Sequence, residues 1–213
     1  TYYFRSRSSA GCWGTEGSSS VTIDATSVAG TASGATTICS GSTTGLTLSG
    51  NTGTIQWQES TNNSSWSSES GGSGGTSTSY TTEALTSNRY YRAAVTNGTC
   101  AVAYTSSLLV GVDAASAGGS RSGGSTVCNG GGGTLTLSGH TGSVTKWQSD
   151  DNSGFSSPSD IVNTSTSYSP SSLTSTTYYR AVVTNGTCSS ANSSSATMTV
   201  YSAFSAGTIS STG

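Results

Sequence analysis

Residues 85–100 read LTSNRYYRAAVTNGTC, and residues 173–188 read LTSTTYYRAVVTNGTC. The two stretches match at an offset of 88 residues, through Tyr-Tyr-Arg-Ala and the closing Asn-Gly-Thr-Cys. Side chains alternate within the run, so that Tyr179, Ala181 and Val183 share one face, which is typical of a β-strand. The Asn-Gly pair that follows has the chemistry of a hairpin turn, because both residues tolerate positive φ. The stretch predicts a β-protein built from a repeated unit.

Other features recur at nearly the same spacing, which fixes the domain organisation. Tyr2-Tyr3 precedes Cys12 by the ten residues that separate Tyr90 from Cys100, so the first residues match the end of a unit. Offsets that drift by one or two residues indicate small loop differences between homologous units. Further matches are Cys39 with Cys128, residues 46–50 with 135–139, and Trp57 with Trp147. We therefore predict the end of an earlier repeat (1–26), two complete repeats (27–113 and 114–202) and the start of a following repeat (203–213).

Each unit shows short alternating segments rich in β-branched and aromatic residues, separated by Gly, Asn and Ser clusters. Six or seven short strands in about 88 residues are typical of an immunoglobulin-like sandwich. The predicted fold class is all-β, with tandem sandwich repeats that form an elongated array. We predict strands near 36–39, 44–49, 54–59, 78–80, 89–96 and 105–112, and near 125–128, 133–138, 143–149, 166–168, 177–184 and 195–201.

The tryptophan on the third predicted strand of each unit is the expected centre of its core. We predict that Trp57 packs against Tyr91, and that Trp147 packs against Tyr179. Large aromatic side chains carry most of the burial available to a domain of this size.

Composition argues against several classes of function. Seven basic residues in 213 and a net charge of −2 do not supply the basic cluster that nucleic-acid binding needs. No apolar run is long enough for a membrane span. The sole histidine, His140, lies in a predicted turn, so neither a catalytic triad nor a zinc site is expected. We predict no enzyme activity, no metal and no cofactor in this chain.

Two loops carry side chains with some capacity for binding. Asp150, Asp151 and Asn152, together with Asp160, have the oxygen chemistry of a calcium site, but the other unit has Ser, Thr and Asn in place of the first three, which favours a polar loop. Trp66 and Phe155 follow the third strand of their units. They either stack on sugar rings or tuck against the edge of the sandwich, and the second interpretation is favoured. Residues 130–133 are four glycines before a strand, which indicates a flexible turn.

The five cysteines form two complete pairs by their place in the repeat. Cys39 and Cys100 lie 61 residues apart in the first unit, and Cys128 and Cys188 lie 60 apart in the second. We predict a disulfide within each unit, with Cys12 paired outside this chain, and hence an oxidising compartment. The alternative is a set of buried free thiols. One difficulty is open: standard sandwich topology can place the two cysteines of a unit at opposite ends.

The unit reads Ser-Ala-Gly, Val-Cys, Leu-Thr-Leu-Ser-Gly, Trp-Gln, Thr-Ser-Tyr, Leu-Thr, Tyr-Tyr-Arg-Ala and Asn-Gly-x-Cys. This pattern resembles the immunoglobulin-like repeats of giant surface adhesins of gliding bacteria, of the SprB type. The resemblance covers nearly the whole chain. It implies export by type IX secretion, display at the cell surface, and adhesion during gliding.

The function expected from these observations is structural. The repeats would form a stalk or filament of a long extracellular adhesin, with neighbouring repeats as partners and surface polysaccharide or other cell-surface proteins as possible ligands. The alternative is a glycan-binding immunoglobulin-like module that accompanies a secreted multidomain enzyme. For the stalk, we expect a linear array whose units touch only near their junction.

Overall fold

Strands account for all regular structure in the computed structural model, which describes residues 1–202. The predicted start of a following repeat, residues 203–213, lies outside the described residues. The N-terminal segment contributes a hairpin of β1 (Tyr2–Phe4) and β2 (Gly17–Ser19). In it Tyr2 is opposite Ser19, which matches the pairing of Tyr178 with Thr197 in the second repeat.

Two copies of one nine-strand pattern follow. The first copy contains β3 (Thr31–Ser33), β4 (Thr37–Cys39), β5 (Gly45–Ser49), β6 (Thr54–Ser60), β7 (Ser67–Ser68), β8 (Ser79–Thr81), β9 (Arg89–Thr96), β10 (Ala103–Tyr104) and β11 (Leu108–Asp113). The second contains β12 (Ser120–Ser122), β13 (Thr126–Cys128), β14 (Leu135–Ser138), β15 (Ser143–Asp150), β16 (Ser159–Ile161), β17 (Ser167–Tyr168), β18 (Thr177–Thr184), β19 (Ala191–Asn192) and β20 (Ala196–Tyr201).

Each copy is a sandwich of a small and a large sheet. In the first copy the small sheet has the order β3-β5-β8, and the large sheet has the order β4-β11-β9-β6-β7, with β10 also on β9. The second copy repeats both orders, as β12-β14-β17 and as β13-β20-β18-β15-β16 with β19 on β18. The predicted all-β, immunoglobulin-like fold is therefore confirmed.

The first part of each copy changes sheets within a few residues. β3 pairs antiparallel with β5 in the small sheet, whereas β4 pairs parallel with β11 in the large sheet. The parallel register places Cys39 beside Asp113, the last residue of β11. In the second copy the same register places Cys128 beside Tyr201.

Contacts group the described residues into two compact units. The first comprises Thr1–Ala35, Gly45–Thr82 and Arg89–Leu109. The second comprises Thr36–Thr44, Glu83–Asn88 and the chain from Val110 onward. The β4 segment with Cys39 thus lies in the second compact unit, although by sequence it belongs to the first copy.

The core of each unit is centred on its tryptophan, as predicted. Trp57, Tyr91 and Trp147 are fully buried, and Tyr179 is 4% exposed. In the second unit the buried cluster consists of Leu135, Leu137, Val144, Trp147, Tyr179, Ala181, Val183, Ala196 and Met198.

Trp147 and Tyr179 lie in the same buried cluster, as predicted, and in both units the aromatic contacts include a further tyrosine. Trp57 stacks on Tyr80, with ring centroids 5.7 Å apart, and Tyr80 in turn contacts Tyr91 at 5.8 Å. Trp147 and Tyr179 are joined in the same way through Tyr168. A tyrosine of the small sheet, Tyr80 or Tyr168, therefore contacts both the tryptophan and the predicted tyrosine of its unit.

A two-residue strand and a break precede the last strand of each copy; the second copy's last strand, β20, agrees with the prediction of 195–201, whereas the first copy's begins later than predicted. Residues 105–112 are expected from sequence to form one strand, but β10 ends at Tyr104 and β11 begins at Leu108. Between them the Thr105 hydroxyl accepts a hydrogen bond from the Ala93 backbone N–H at 3.0 Å. Ser193 accepts from the Ala181 backbone N–H at 2.9 Å in the second copy. At this point a hydroxyl side chain, not a backbone carbonyl, accepts from the neighbouring strand, and the ladder of backbone hydrogen bonds between the two strands is broken.

Burial makes the core sensitive to alkaline pH. Burial, reinforced by the neighbouring Glu69 carboxylate, raises the pKa of Tyr80 above its ordinary value. An ionised Tyr80 is therefore favoured only in the unfolded chain, so the stability that Tyr80 contributes is complete below about pH 10 and is lost as pH rises above that value.

We expect Tyr80→Phe to flatten the loss of stability above about pH 10, by up to roughly 1.4 kcal/mol per pH unit, because phenylalanine cannot ionise in either state. Urea unfolding at a series of pH values measures this slope. Tyr2→Phe is the control, since Tyr2 is 69% exposed. Equal slopes for the wild type and Tyr80→Phe would contradict the prediction.

Candidate functional site: the cysteine turn and the acidic linker

The repeated Asn-Gly-Thr-Cys motif forms a tight turn in both copies, which we name the cysteine turn (residues 97–100 and 185–188). The Cys188 backbone N–H donates to the Asn185 carbonyl at 2.9 Å, and Cys100 donates to Asn97 at 3.0 Å. Gly186 has a φ of 47°, in the left-handed region where glycine is favoured. The predicted positive-φ turn is present.

The short segment through which the chain enters each copy packs on this turn. We name it the acidic linker (residues 24–27 and 113–116). In the second copy the Asp113 carboxylate accepts from the Thr187 backbone N–H at 2.8 Å and from its hydroxyl at 3.2 Å. The Asn185 side chain donates to the Ala114 carbonyl at 2.7 Å, and the Asn185 backbone N–H donates to the Ser116 hydroxyl at 2.9 Å. The linker is thus fixed at several points.

The first copy repeats this arrangement almost bond for bond. Asp24 accepts from the Thr99 backbone N–H at 3.1 Å, and Asn97 donates to the Ala25 carbonyl at 2.8 Å. The Asn97 backbone N–H donates to the Ser27 hydroxyl at 2.9 Å. This linker was not predicted from the sequence. The sequence does contain a motif that marks the linker, Asp-Ala-x-Ser, which recurs at an offset of 89 residues.

The disulfide pairing differs from the prediction. Cys39 is bonded to Cys188, with Cα atoms 4.8 Å apart, across 149 residues of sequence. The bond joins a strand of the first copy to the cysteine turn of the second. Within the described residues, Cys12, Cys100 and Cys128 carry no disulfide. The predicted pairs Cys39–Cys100 and Cys128–Cys188 are therefore wrong.

The reason is the position of the two cysteines within a copy. Cys128 lies beside Tyr201 at the end of β20, next to the start of the antiparallel strand β18. Cys188 follows the other end of β18. Eight residues at 3.3 Å each separate those ends by about 25 Å, whereas bonded cysteines need Cα atoms within about 7 Å. The cysteine on the parallel strand of a copy, such as Cys128, lies at the end where the chain leaves that copy. The cysteine of the turn, such as Cys188, lies at the opposite end, where the chain enters.

The cysteine turn leaves no room for a side chain at its glycine. A Cβ atom on Gly186 would overlap the Asp113 carboxylate, whose Oδ2 atom would be nearest to it. We expect Gly186→Ala to lower the free energy of unfolding by about 2–3 kcal/mol, through left-handed strain and lost hydrogen bonds to Asp113. Urea unfolding measures this loss.

Gly139→Ala is the matched control, because Gly139 also has positive φ, 63°, but a Cβ atom added there would meet nothing within 4 Å. It should cost only about 1 kcal/mol. In an Asp113→Ala background the cost of Gly186→Ala should fall to the same value. Equal costs for the two glycines in the wild type would show that the carboxylate does not fill this space.

The acidic loop of the second copy is occupied by its own hydrogen bonds. Partial burial disfavours the charged form of Asp150, but the Asn152 and Ser157 backbone N–H groups outweigh it and hold the pKa of Asp150 below its usual value. Asp160 accepts from Lys146 at 2.7 Å and from a glutamine at 2.8 Å. Among the described residues, no group of three or more His, Cys, Asp or Glu side chains is arranged to hold a metal ion.

The loop aromatics pack on arginines of the large sheet. The Arg92 guanidinium lies 4.3 Å from the centre of the Trp66 ring and 4.0 Å from that of Tyr104. Arg180 lies 4.2 Å from the ring of Phe155, which is buried. Each loop ring is thus folded back on its own sheet by a cation–π contact, which agrees with the edge-packing interpretation.

Two remaining features bear on the expectations from sequence. His140 is half-buried, and its Nδ1 has no hydrogen-bond partner among residues 1–202. The part of the chain that the structure describes has no helix with the length and apolar character to cross a membrane.

Comparisons with known proteins agree with this architecture. A family model described as a domain of unknown function (DUF8696) matches residues 28–114 and again 117–202. No curated protein sequence matches the chain. The marsupial T cell receptor structure is similar over 83% of this chain and 74% of its own, with 12% identity and a TM-score of 0.54. A chain from the structure of the mouse coronavirus receptor-binding domain complexed with its murine receptor is similar over 78% of this chain and 96% of its own length, with 11% identity and a TM-score of 0.50. At such identities the likeness concerns the immunoglobulin-like fold alone.

Proposed function

Since the chain belongs to the family of domains of unknown function DUF8696 and carries two copies of that domain, we propose that these copies are structural repeats of a long bacterial cell-surface adhesin. In this proposal they form its stalk and take no part in catalysis. The resemblance to repeats of gliding-motility adhesins supports the further proposal that the parent protein is exported by type IX secretion and acts in attachment and gliding.

The observation that carries the proposal is the disulfide from one copy to the next. Cys39 at the exit of the first copy is bonded to Cys188 in the turn that holds the acidic linker. A stalk between a moving cell and a surface bears tension, and a covalent link beside the backbone keeps that tension off the folded residues between the two cysteines. Repeats that served only as spacers between independent domains would have no use for such a link.

The disulfide also supports an extracellular location. Disulfides persist in oxidising compartments and are rare in the bacterial cytoplasm. Only 8% of the residues are charged, and a surface of hydroxyl-bearing side chains suits a protein that has to stay solvated along its whole length. We propose the cell surface as the place where these repeats act.

Electron microscopy of chains with two, four and eight copies tests the stalk. We expect extended particles whose length grows by a constant increment of about 30–40 Å per copy, from strands of eight to ten residues plus turns. Particles that stay compact as copies are added would refute the proposal.

A glycan array separates the stalk from the glycan-binding alternative. The stalk repeats should bind no glycan, and Trp66→Ala should change nothing on the array. Binding to a defined glycan that is lost in Trp66→Ala but kept in Phe155→Ala would favour a binding module in the first copy, where Trp66 and Tyr104 flank Arg92.

A further inference from the structure

The observed disulfide uses one cysteine of each copy and leaves the other cysteine of each copy unbonded. Cys39 and Cys188 are joined, while Cys100 and Cys128 are not. Cys128 is the strand cysteine of the second copy, equivalent to Cys39. Cys100 is the turn cysteine of the first copy, equivalent to Cys188.

Cys100 has the same surroundings as the bonded Cys188. Its sulfur lies 3.4 Å from the Ala25 carbonyl oxygen, and the sulfur of Cys188 lies 3.3 Å from that of Ala114. Both turns are closed by the same backbone hydrogen bond and hold the same aspartate and asparagine contacts. The first turn is therefore built as a disulfide site and lacks only its strand cysteine.

Cys128 likewise has the surroundings of the bonded Cys39. Its strand runs parallel to β20 as the strand of Cys39 runs parallel to β11. The residue after it donates its backbone N–H to Tyr201 at 3.1 Å, as the residue after Cys39 donates to Asp113 at 2.8 Å. Cys128 is exposed, at the end of the copy where the chain leaves.

We propose that Cys128 and Cys100 are sites of the same disulfide with further copies of this repeat. In each bond the strand cysteine of one copy pairs with the turn cysteine of the next copy along a chain. Cys128 would take the turn cysteine of a copy that follows, and Cys100 and Cys12 would take strand cysteines of copies that precede them. Consecutive copies then form a continuous series of staggered bonds, with no bond inside any copy.

Each bond forms by thiol–disulfide exchange with an oxidant that itself carries a disulfide, such as a thiol–disulfide oxidoreductase or glutathione disulfide. The thiolate of one cysteine attacks the oxidant's disulfide and displaces one thiolate. The second cysteine then attacks the mixed disulfide and displaces the other. Two thiols are oxidised to one disulfide, and their two protons pass to the two displaced thiolates, so that the oxidant is reduced to two thiols.

The test uses the chain extended after Ser202 by a further copy of residues 114–202. A Thr126→Ser change in the added copy marks its strand peptide by mass. After oxidation in a glutathione buffer and alkylation, cleavage at Lys, Arg and Glu separates all the cysteines, since Glu16 lies between Cys12 and Cys39. Peptide mapping without reductant then identifies each bond.

We expect the Cys39–Cys188 bond and a new bond from Cys128 to the turn cysteine of the added copy. Cys12, Cys100 and the added strand cysteine should be alkylated. With Cys128→Ser, the added turn cysteine should be alkylated while Cys39–Cys188 remains, which shows that the rest of the chain is folded. Bonds inside any copy, or an alkylated Cys128 in the extended chain, would overturn the proposal. Neither result depends on whether the repeats form an adhesin stalk.

Discussion

Reduction of the Cys39–Cys188 disulfide should lengthen the fully unfolded chain under force by about 500 Å. Force applied at the two ends passes through the sulfur–sulfur bond and bypasses the 149 residues between the cysteines. At about 3.3–3.6 Å per extended residue, those residues hold roughly 500 Å of length. Single-molecule force spectroscopy with handles at Thr1 and Gly213 measures the released length with and without reductant.

The length itself distinguishes the possible pairings. Two bonds within copies would hide 61 and 60 residues, which amounts to about 200 Å each in two separate steps. Cys39→Ser should extend fully in both conditions, and Cys100→Ser should behave as the wild type because Cys100 carries no bond. An oxidised wild-type chain that extends fully would contradict the pairing.

Removing the central tryptophan should have the largest effect on stability of any single core substitution. Trp147 is fully buried, contacts Tyr168, and donates its Nε1–H to the Ser165 carbonyl at 3.0 Å. Trp147→Ala should lower the free energy of unfolding by about 3–5 kcal/mol, because it leaves a cavity and an unpaired carbonyl. Chemical denaturation, monitored by circular dichroism, gives the difference.

Two further variants serve as controls for the Trp147→Ala prediction. Trp147→Phe keeps much of the volume but loses the hydrogen bond, and should cost less than the alanine variant, about 1–3 kcal/mol. Trp13→Ala removes an indole that is 62% exposed and should cost little. A loss below about 1 kcal/mol for Trp147→Ala would mean that this ring is not the centre of its core.

The strands were predictable because their signals are local. Residues 177–184 were expected as a strand and form β18 with the same bounds, since alternation and β-branched residues act over a few neighbours. Within the two copies, β3, β7, β10, β12, β16 and β19 were missed. They are two or three residues long, and their short, mostly polar or small-residue sequences carry little strand signal.

The disulfide was not predictable from the spacing of the cysteines alone. The sequence left open whether the two cysteines of a unit lie at opposite ends, and the predicted pairs required that they lie together. Which end each occupies depends on the parallel pairing of β4 with β11, a long-range choice that leaves no local pattern. The contact through Tyr80 was missed for a related reason, because it joins two sheets.

The wide separation of Cys39 and Cys188 in sequence also sets the order of events during biosynthesis. At about 5–20 residues per second, Cys188 is made roughly 7–30 s after Cys39. The first copy therefore has time to fold while its strand cysteine is still a thiol, with Cys12 and Cys100 already present as wrong partners. Folding itself protects the correct outcome, because it carries Cys39 to the far end of its copy from Cys100 before the right partner exists. The fold of the first copy thus favours the bond from Cys39 to Cys188 over a bond from Cys39 to Cys100.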